Sequence, residues 1–513
     1  MPLPPRPKSQ YGRITALASG HHLATLTAQR VIEQGGSLVD AMVAASAMLT
    51  VTLPHAGSLG SCALMLVYDA ASHQVQVLNG TGRAPAATPA AQLALAGVLP
   101  QRGVQATVTP TLVRLWARAH ERYGRLPWAQ LLAPATAAAG NGIGTAEELA
   151  RALLHPDPAV VTQPGFTDAF HRNGLPLVAG QPMRQPRLAE VLQAIARQGE
   201  AGFYGGWVAR SLAAFCAEHD GWLGQGDLDR AQADWCDSWG THYAGRQVHV
   251  APPNAAGVLM LRQLNLRAAA DPAQHGPAHD VLRAAAVLQR YCARLGDPAR
   301  RRLMPGDFEL GERHIGAGPV DATATCLTPA DATGFVAMDV DGNAVALLQS
   351  VFQPLGSGAV DPGTGILLNN RMAQFHPQAE LPNGVQAGAR PAYTLSPWIV
   401  VHGNRAELAA ISSGGIGQTT GGLQLASGAL ETGATLGELV GRPRWSFDHA
   451  AQVLLETGMD AGVAPLLRAQ GLTVLENAEQ ELHFGSVEAV RAQPHGGLEA
   501  VADLRRQAHA VAW

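Results

Sequence analysis

Residues 335–349 constrain the fold of this chain more than any other stretch. Phe335–Asp339 and Ala344–Gln349 are two apolar runs of strand length, with Asp341-Gly342-Asn343 between them. Asp-Gly-Asn readily takes the positive φ angles that a tight hairpin turn needs, so the segment predicts two antiparallel strands. Cys62–Tyr68 and Gln74–Leu78 predict a second hairpin across Asp69–His73. Further strands are expected at 247–251, 397–402, 407–412 and 453–456. Helical patterns flank them: residues 23–33, stopped by Gly35-Gly36, and an Ala-rich stretch from a Ser37 cap to Thr50, packed closely on a flat surface. Residues 110–230 are mostly helical, as are 279–295 and two stretches between Gly422 and Arg442. Residues 1–20 read as a loose proline-rich lead-in, and 301–331 as an irregular connector. No Ser/Gly-rich linker divides the chain into independent domains.

Composition narrows the function classes. Of 513 residues 47% are hydrophobic, enough for a large core, and the net charge is −4 with acids and bases interspersed. Lys8 is the single lysine, and no basic stripe exists to neutralise phosphates, so no nucleic-acid partner is expected. No apolar run reaches the length of a membrane span, so no membrane partner is expected. The start, Met1 to Lys8, lacks the apolar segment of a secretory signal, and a soluble, cytoplasmic protein is expected. The five cysteines (Cys62, Cys216, Cys236, Cys292 and Cys326) form no C-x-x-C pair. They are expected to be scattered buried thiols, with neither a zinc site nor a disulfide framework. His21-His22 has no acidic partner at ligand spacing and reads as a helix-start pair. His55 reads as structural. No metal and no cofactor is expected.

A series of short words is more specific. Gly36-Ser37-Leu38-Val39-Asp40-Ala41, Pro54-His55-Ala56-Gly57-Ser58-Leu59-Gly60, Arg83-Ala84-Pro85-Ala86-Ala87, Pro252-Pro253-Asn254-Ala255-Ala256-Gly257 and Gly296-Asp297-Pro298 occur in that order. They are followed by Asp341-Gly342-Asn343-Ala344-Val345, Gly356-Ser357-Gly358, Pro362 through Asn370, Ser396-Pro397 and Ser412-Ser413-Gly414-Gly415. In content, order and spacing this series resembles the γ-glutamyltransferase family of self-cleaving amide-bond enzymes over nearly the whole chain. The resemblance implies an α+β fold, a stacked αββα sandwich of the N-terminal-nucleophile type. Within that one domain, residues 1–331 would correspond to a large subunit and 332–513 to a small one. It also implies a precursor that cuts itself before a threonine, whose freed α-amine then serves as base for its own hydroxyl. A small-molecule amide is the implied substrate. A processed chain would be a two-subunit assembly, and a homodimer is left open.

Counting back from the Asp341-Gly342-Asn343 turn, the nucleophile position is Ala332, in Asp331-Ala332-Thr333-Gly334-Phe335. A methyl group can neither attack the preceding carbonyl nor form an acyl-enzyme. Three readings follow: a deliberate change that keeps a precursor intact, a natural non-catalytic member with a binding or scaffold role, or takeover by Thr333. The third ranks last, because neighbouring strand residues point to opposite faces. Ser350 stands where the family keeps a threonine hydrogen-bonded to the nucleophile. Gly414 and Gly415 stand where family backbone N–H groups hold the oxyanion, and both favour the first reading over the second.

The residues that would read a glutamate head group differ from the family pattern. Thr81 takes the place of the carboxylate-binding arginine, with Arg83 two residues on. Gln374 replaces the ammonium-binding acid, Arg371 a glutamine, Phe352 an asparagine, and Tyr393-Thr394 a serine pair. Removing polar partners costs discrimination. A γ-glutamyl substrate is therefore not expected, against the alternative of a classical γ-glutamyltransferase. Arg371 suggests an anionic group, and Phe352 and Tyr393 a flatter body, as in amidohydrolase and acylase branches.

Overall fold

The computed structural model describes residues 7–300, 302–310, 330–478 and 481–513. Fourteen strands of the described residues build two sheets. In chain order they are β1 (Gln10–Gly12), β2 (Thr15–Ser19), β3 (Cys62–Asp69), β4 (Gln74–Gly80), β5 (Asp234–Asp237), β6 (Trp239–Tyr243) and β7 (Arg246–Val250). Then follow β8 (Asp331–Asp339), β9 (Ala344–Phe352), β10 (Trp398–His402), β11 (Arg405–Ser412), β12 (Val487–Ala492), β13 (Leu498–Ala502) and β14 (His509–Ala512). One sheet has the order β14-β2-β8-β9-β3-β4-β5, the other β1-β13-β12-β11-β10-β7-β6. Strand neighbours within both sheets run antiparallel.

Three apolar layers show how the sheets stack. Alternate residues of β8 and β9, such as Val336, Met338, Ala346 and Leu348, meet Ile399, Ala409 and Val490 of the second sheet. The opposite face of the first sheet, with Phe335, Ala337, Val345 and Leu347, packs on helices α1 (His22–Glu33) and α2 (Leu38–Thr52). The outer face of the second sheet packs on Gly257–Ala269, Pro277–Tyr291 and Gly417–Glu431. The result is a stacked αββα sandwich. Every residue of α2 is buried, and its alanines permit a close approach to the sheet. Ser37 and Asp40 close a reciprocal capping box at its start.

Several elements differ from the sequence expectation. Thr15–Ser19, expected as lead-in, is a wholly buried strand beside β8. Leu17 faces the helical layer while Ala16 and Ala18 face the other sheet, so its pattern is written in small residues of weak strand propensity. The connector expected at 301–331 lies largely outside the described residues. Pro305–Phe308 is a short 3-10 turn, and Asp331 already belongs to β8. Cys62, Cys216 and Cys236 are free, but Cys292 is disulfide-bonded, which corrects the expectation of thiols throughout. A disulfide depends on a spatial approach of a few ångströms that sequence spacing does not display. Among the described residues, no helix is long and apolar enough to cross a membrane.

The capping box generates a first test. Ser37→Ala removes one acceptor for the orphan N–H groups of a fully buried helix, and we expect it to lower unfolding free energy by about 1 kcal/mol in urea titration.

Candidate active site

The Asp331–Ala332 peptide opens the inner strand β8 at a β-bulge. Asp331 pairs with Phe352 but Thr333 pairs with Gln349, so Ala332 faces two residues, Ser350 and Val351. Side chains grip both polar groups of this peptide. Ser350 Oγ donates to the Asp331 carbonyl at 2.6 Å and accepts the Phe352 N–H at 2.7 Å. The Ala332 N–H donates to Asp331 Oδ1 at 2.9 Å. Arg506 clamps the same carboxylate through both terminal nitrogens, each at 3.3 Å. Arg506 also reaches Glu148 at 3.4 Å, and the Gln507 N–H donates to Glu148. Burial pushes the Glu148 carboxyl up, against the opposing pull of Arg506.

Ala332 and Thr333 face different layers. Ala332 belongs to the apolar cluster between the sheets. Thr333 points toward two glycines in the helical layer. A Cβ on Gly20 would meet Thr333 Oγ1 at 2.2 Å, and one on Gly57 would meet Thr333 Cγ2 at 2.8 Å. The Thr333 hydroxyl is buried without a hydrogen-bond partner.

Gly414 and Gly415 lie between β11 and the helix Gly417–Glu431, with φ of +96° and +59°. A side chain on Gly414 would strike the backbone of Gly485 and Leu482 at 2.9 Å. Ser413 anchors the loop: its N–H donates to the Ser486 carbonyl at 2.9 Å, and its Oγ accepts the Ser486 N–H at 2.8 Å. Neither Gly414 nor Gly415 N–H finds an acceptor among the described residues. Leu482, against Gly414, and Asp331 line one cavity of about 360 Å³, together with His55, Arg102, Glu148 and Arg506. His55 is fully buried with both ring nitrogens unpartnered, and desolvation lowers its pKa to about 4, leaving a neutral ring.

Four of the seven residues expected at the substrate converge. The Arg371 guanidinium lies 4.2 Å from the Tyr393 ring centroid and 5.1 Å from that of Phe352. Its Nη1 donates to Gln374, while Nε and Nη2 are buried without partners. Desolvation lowers the Arg371 pKa from its ordinary value. Tyr393 OH accepts the Gly82 N–H at 2.9 Å, and burial drives its pKa well up. Phe352 is the ladder partner of Asp331, so this group adjoins the bulge.

The other three stand apart. Thr81 is buried in a network with Asn79 and Asn254, and its carbonyl accepts from Arg390. Arg83 turns to Asp297 at 3.2 Å and the Gly388 carbonyl at 3.1 Å. Thr394 is buried, and its carbonyl accepts from Ser396. Asp331, Arg506 and Glu148 were not singled out from sequence. Asp331 could have been, as the residue before the nucleophile position. The other two come from distant segments and carry no local signal.

Residues 24–513 match the family model for gamma-glutamyltranspeptidase, and the chain belongs to that family. The glutathione hydrolase-like YwrD proenzyme of Bacillus subtilis is 28% identical, covering 98% of this chain and 99% of its own. The oxamate amidohydrolase proenzyme of Klebsiella pneumoniae is also 28% identical, covering 96% and 97%. Among solved structures, cephalosporin acylase from Bacillus halodurans superposes with a TM-score of 0.90 at 26% identity, over 100% of this chain and 98% of that one. The fold is therefore that of the N-terminal-nucleophile hydrolases. The family is one of amide hydrolases and transferases that act on small-molecule amides.

A second test addresses Thr333. Thr333→Val keeps the shape and removes an unpartnered buried hydroxyl. We expect stability to be unchanged or raised by about 1 kcal/mol in chemical denaturation, where a hydroxyl with a working partner would give a loss.

Proposed function

We propose that this chain is the uncleaved form of a threonine-nucleophile amide hydrolase or acyltransferase in which Ala332 occupies the nucleophile position. The observation that carries this reading is the Asp331–Ala332 peptide. Its carbonyl is held by Ser350, its N–H by Asp331, and the Gly414-Gly415 loop packs beside the adjoining cavity. The roles follow. Residue 332 would supply the hydroxyl, Ser350 would steady the carbonyl, and the N–H groups of Gly414 and Gly415 would hold the oxyanion. Ala332 lacks the hydroxyl, so the chain stays intact and inactive.

For the substrate we propose an amide whose acyl part carries a carboxylate, distinct from a γ-glutamyl group. Arg371 has donors to spare, and an arginine prefers bidentate carboxylate partners. Among the described residues no acid is hydrogen-bonded to it to receive an ammonium: its side-chain partner is Gln374. A relative named for oxamate, an amide with a carboxylate, agrees with this. The chain order of the sheets supports a stable two-piece product. In the first sheet β8 and β9, from the second piece, lie between β2 and β3 of the first piece. In the second sheet β10 to β13 lie between β1 and β7. Residues 1–331 and 332–513 would form one domain together.

Restoring the hydroxyl tests the reading. We expect Ala332→Thr to split into 1–331 and 332–513 on a denaturing gel and to elute as one particle in native gel filtration. A single intact band would favour a natural non-catalytic protein with a binding role. In the restored enzyme, γ-glutamyl anilide should not be turned over. Arg371→Leu should lower kcat/KM for a carboxylate-bearing amide about 100-fold, on the scale of a lost charged hydrogen-bond pair.

A further inference from the structure

We propose that Asp331 is a catalytic acid–base group of self-cleavage, carrying the proton from the hydroxyl of residue 332 to the nitrogen that leaves. This rests on the Asp331–Ala332 peptide being the bond that is processed. The need for such a group is chemical. In the mature family enzyme, the freed α-amine takes the hydroxyl proton. Before cleavage that nitrogen is an amide: it bears a proton already, and its lone pair is delocalised into the carbonyl. It cannot be the base for the step that liberates it, so the precursor needs another acceptor.

The structure places a carboxylate at that point. Asp331 Oδ1 is 2.9 Å from the Ala332 nitrogen, and it accepts the N–H of the bond to be broken. A hydroxyl on the Cβ of residue 332 would stand three bonds from that nitrogen. Arg506 fixes the carboxylate from the far side with two contacts at 3.3 Å, and the side chain is almost fully buried. The neighbouring polar groups are committed elsewhere. Ser350 Oγ spends its proton on the Asp331 carbonyl, Glu148 is held by Arg506 and the Gln507 N–H, and Thr333 faces the helical layer. His55 lines the same cavity, but no hydrogen bond joins it to the 331–332 peptide.

The step balances as follows. The hydroxyl oxygen of residue 332 bonds to the Asp331 carbonyl carbon, and its proton passes to the Asp331 carboxylate. The carbonyl electrons move to an oxyanion that receives the Ser350 hydrogen bond. The oxyanion re-forms the carbonyl as the carbon–nitrogen bond breaks, and the Asp331 carboxyl returns the proton to the departing nitrogen. The product is an ester between Asp331 and the side chain of residue 332. Water then adds to that carbonyl and the carbon–oxygen bond breaks. This leaves an α-carboxylate on Asp331, a free α-amine on residue 332 and its restored hydroxyl.

The test compares self-cleavage rates of A332T with those of D331N/A332T, D331E/A332T and D331G/A332T by denaturing gel across pH, with circular dichroism to verify folding. We expect D331N/A332T to be about 100-fold slower, within the range of a lost general acid–base group. D331E/A332T should retain part of the rate. Sodium formate should accelerate D331G/A332T saturably, since a small carboxylate fits beside Arg506, with a pH dependence that follows formate ionisation; sodium chloride should not. If D331N/A332T matches A332T, or formate accelerates D331G/A332T no more than chloride does, Asp331 is not the proton carrier. If A332T itself stays intact, the processing bond has been misassigned and this role falls with it.

Discussion

A buried carboxylate clamped by a distant arginine organises this molecule. Asp331 sits at the first position of the inner strand β8, and Arg506 reaches it from the connection between β13 and β14. Removing one partner from a buried ion pair leaves an uncompensated charge at a cost of roughly 3–5 kcal/mol. The pair therefore ties the C-terminal end of the chain to the start of β8. The clamped carboxylate meets its neighbour's N–H beside the bulge at Ser350 and Val351. A strained feature accompanies it: Phe352, a non-glycine residue, holds φ at +88° with its N–H bound by Ser350.

Much of this was legible in the sequence, for identifiable reasons. The 335–349 hairpin was legible because its turn chemistry and apolar runs agree with one another. The Ser37 cap was legible because capping is local. The period of two along a strand separates Ala332 from Thr333, and the structure places Thr333 against Gly20 and Gly57. Thr15–Ser19 was not legible, since alanines carry little strand signal and its burial comes from pairing with β8 and β14. Arg506 and Glu148 meet Asp331 only through tertiary structure. Arg83 and Arg371 both stood at candidate substrate positions. Only coordinates distinguish an arginine satisfied by Asp297 from one with two idle nitrogens between aromatic rings.

The two halves of the site diverge in different ways. On the proposed reading, Ser350, the Gly414-Gly415 loop and the start of β8 are the parts that hold the backbone at the bond. Beside them, the proposed head-group side carries a cation between two rings, Arg371 with Phe352 and Tyr393. A guanidinium that is fully desolvated and only partly bonded is costly unless something completes its shell. Its position beside Phe352, the ladder partner of Asp331, puts that unmet demand next to the Asp331–Ala332 bond.

On the proposed reading, the Asp331–Ala332 bond lacks only a hydroxyl. Intact-mass spectrometry of the denatured Ala332→Ser protein tests it most directly. Two species are expected, with the masses of residues 1–331 and 332–513, and a new N-terminus at 332. One species at the full mass, or a new N-terminus at 333, would contradict it.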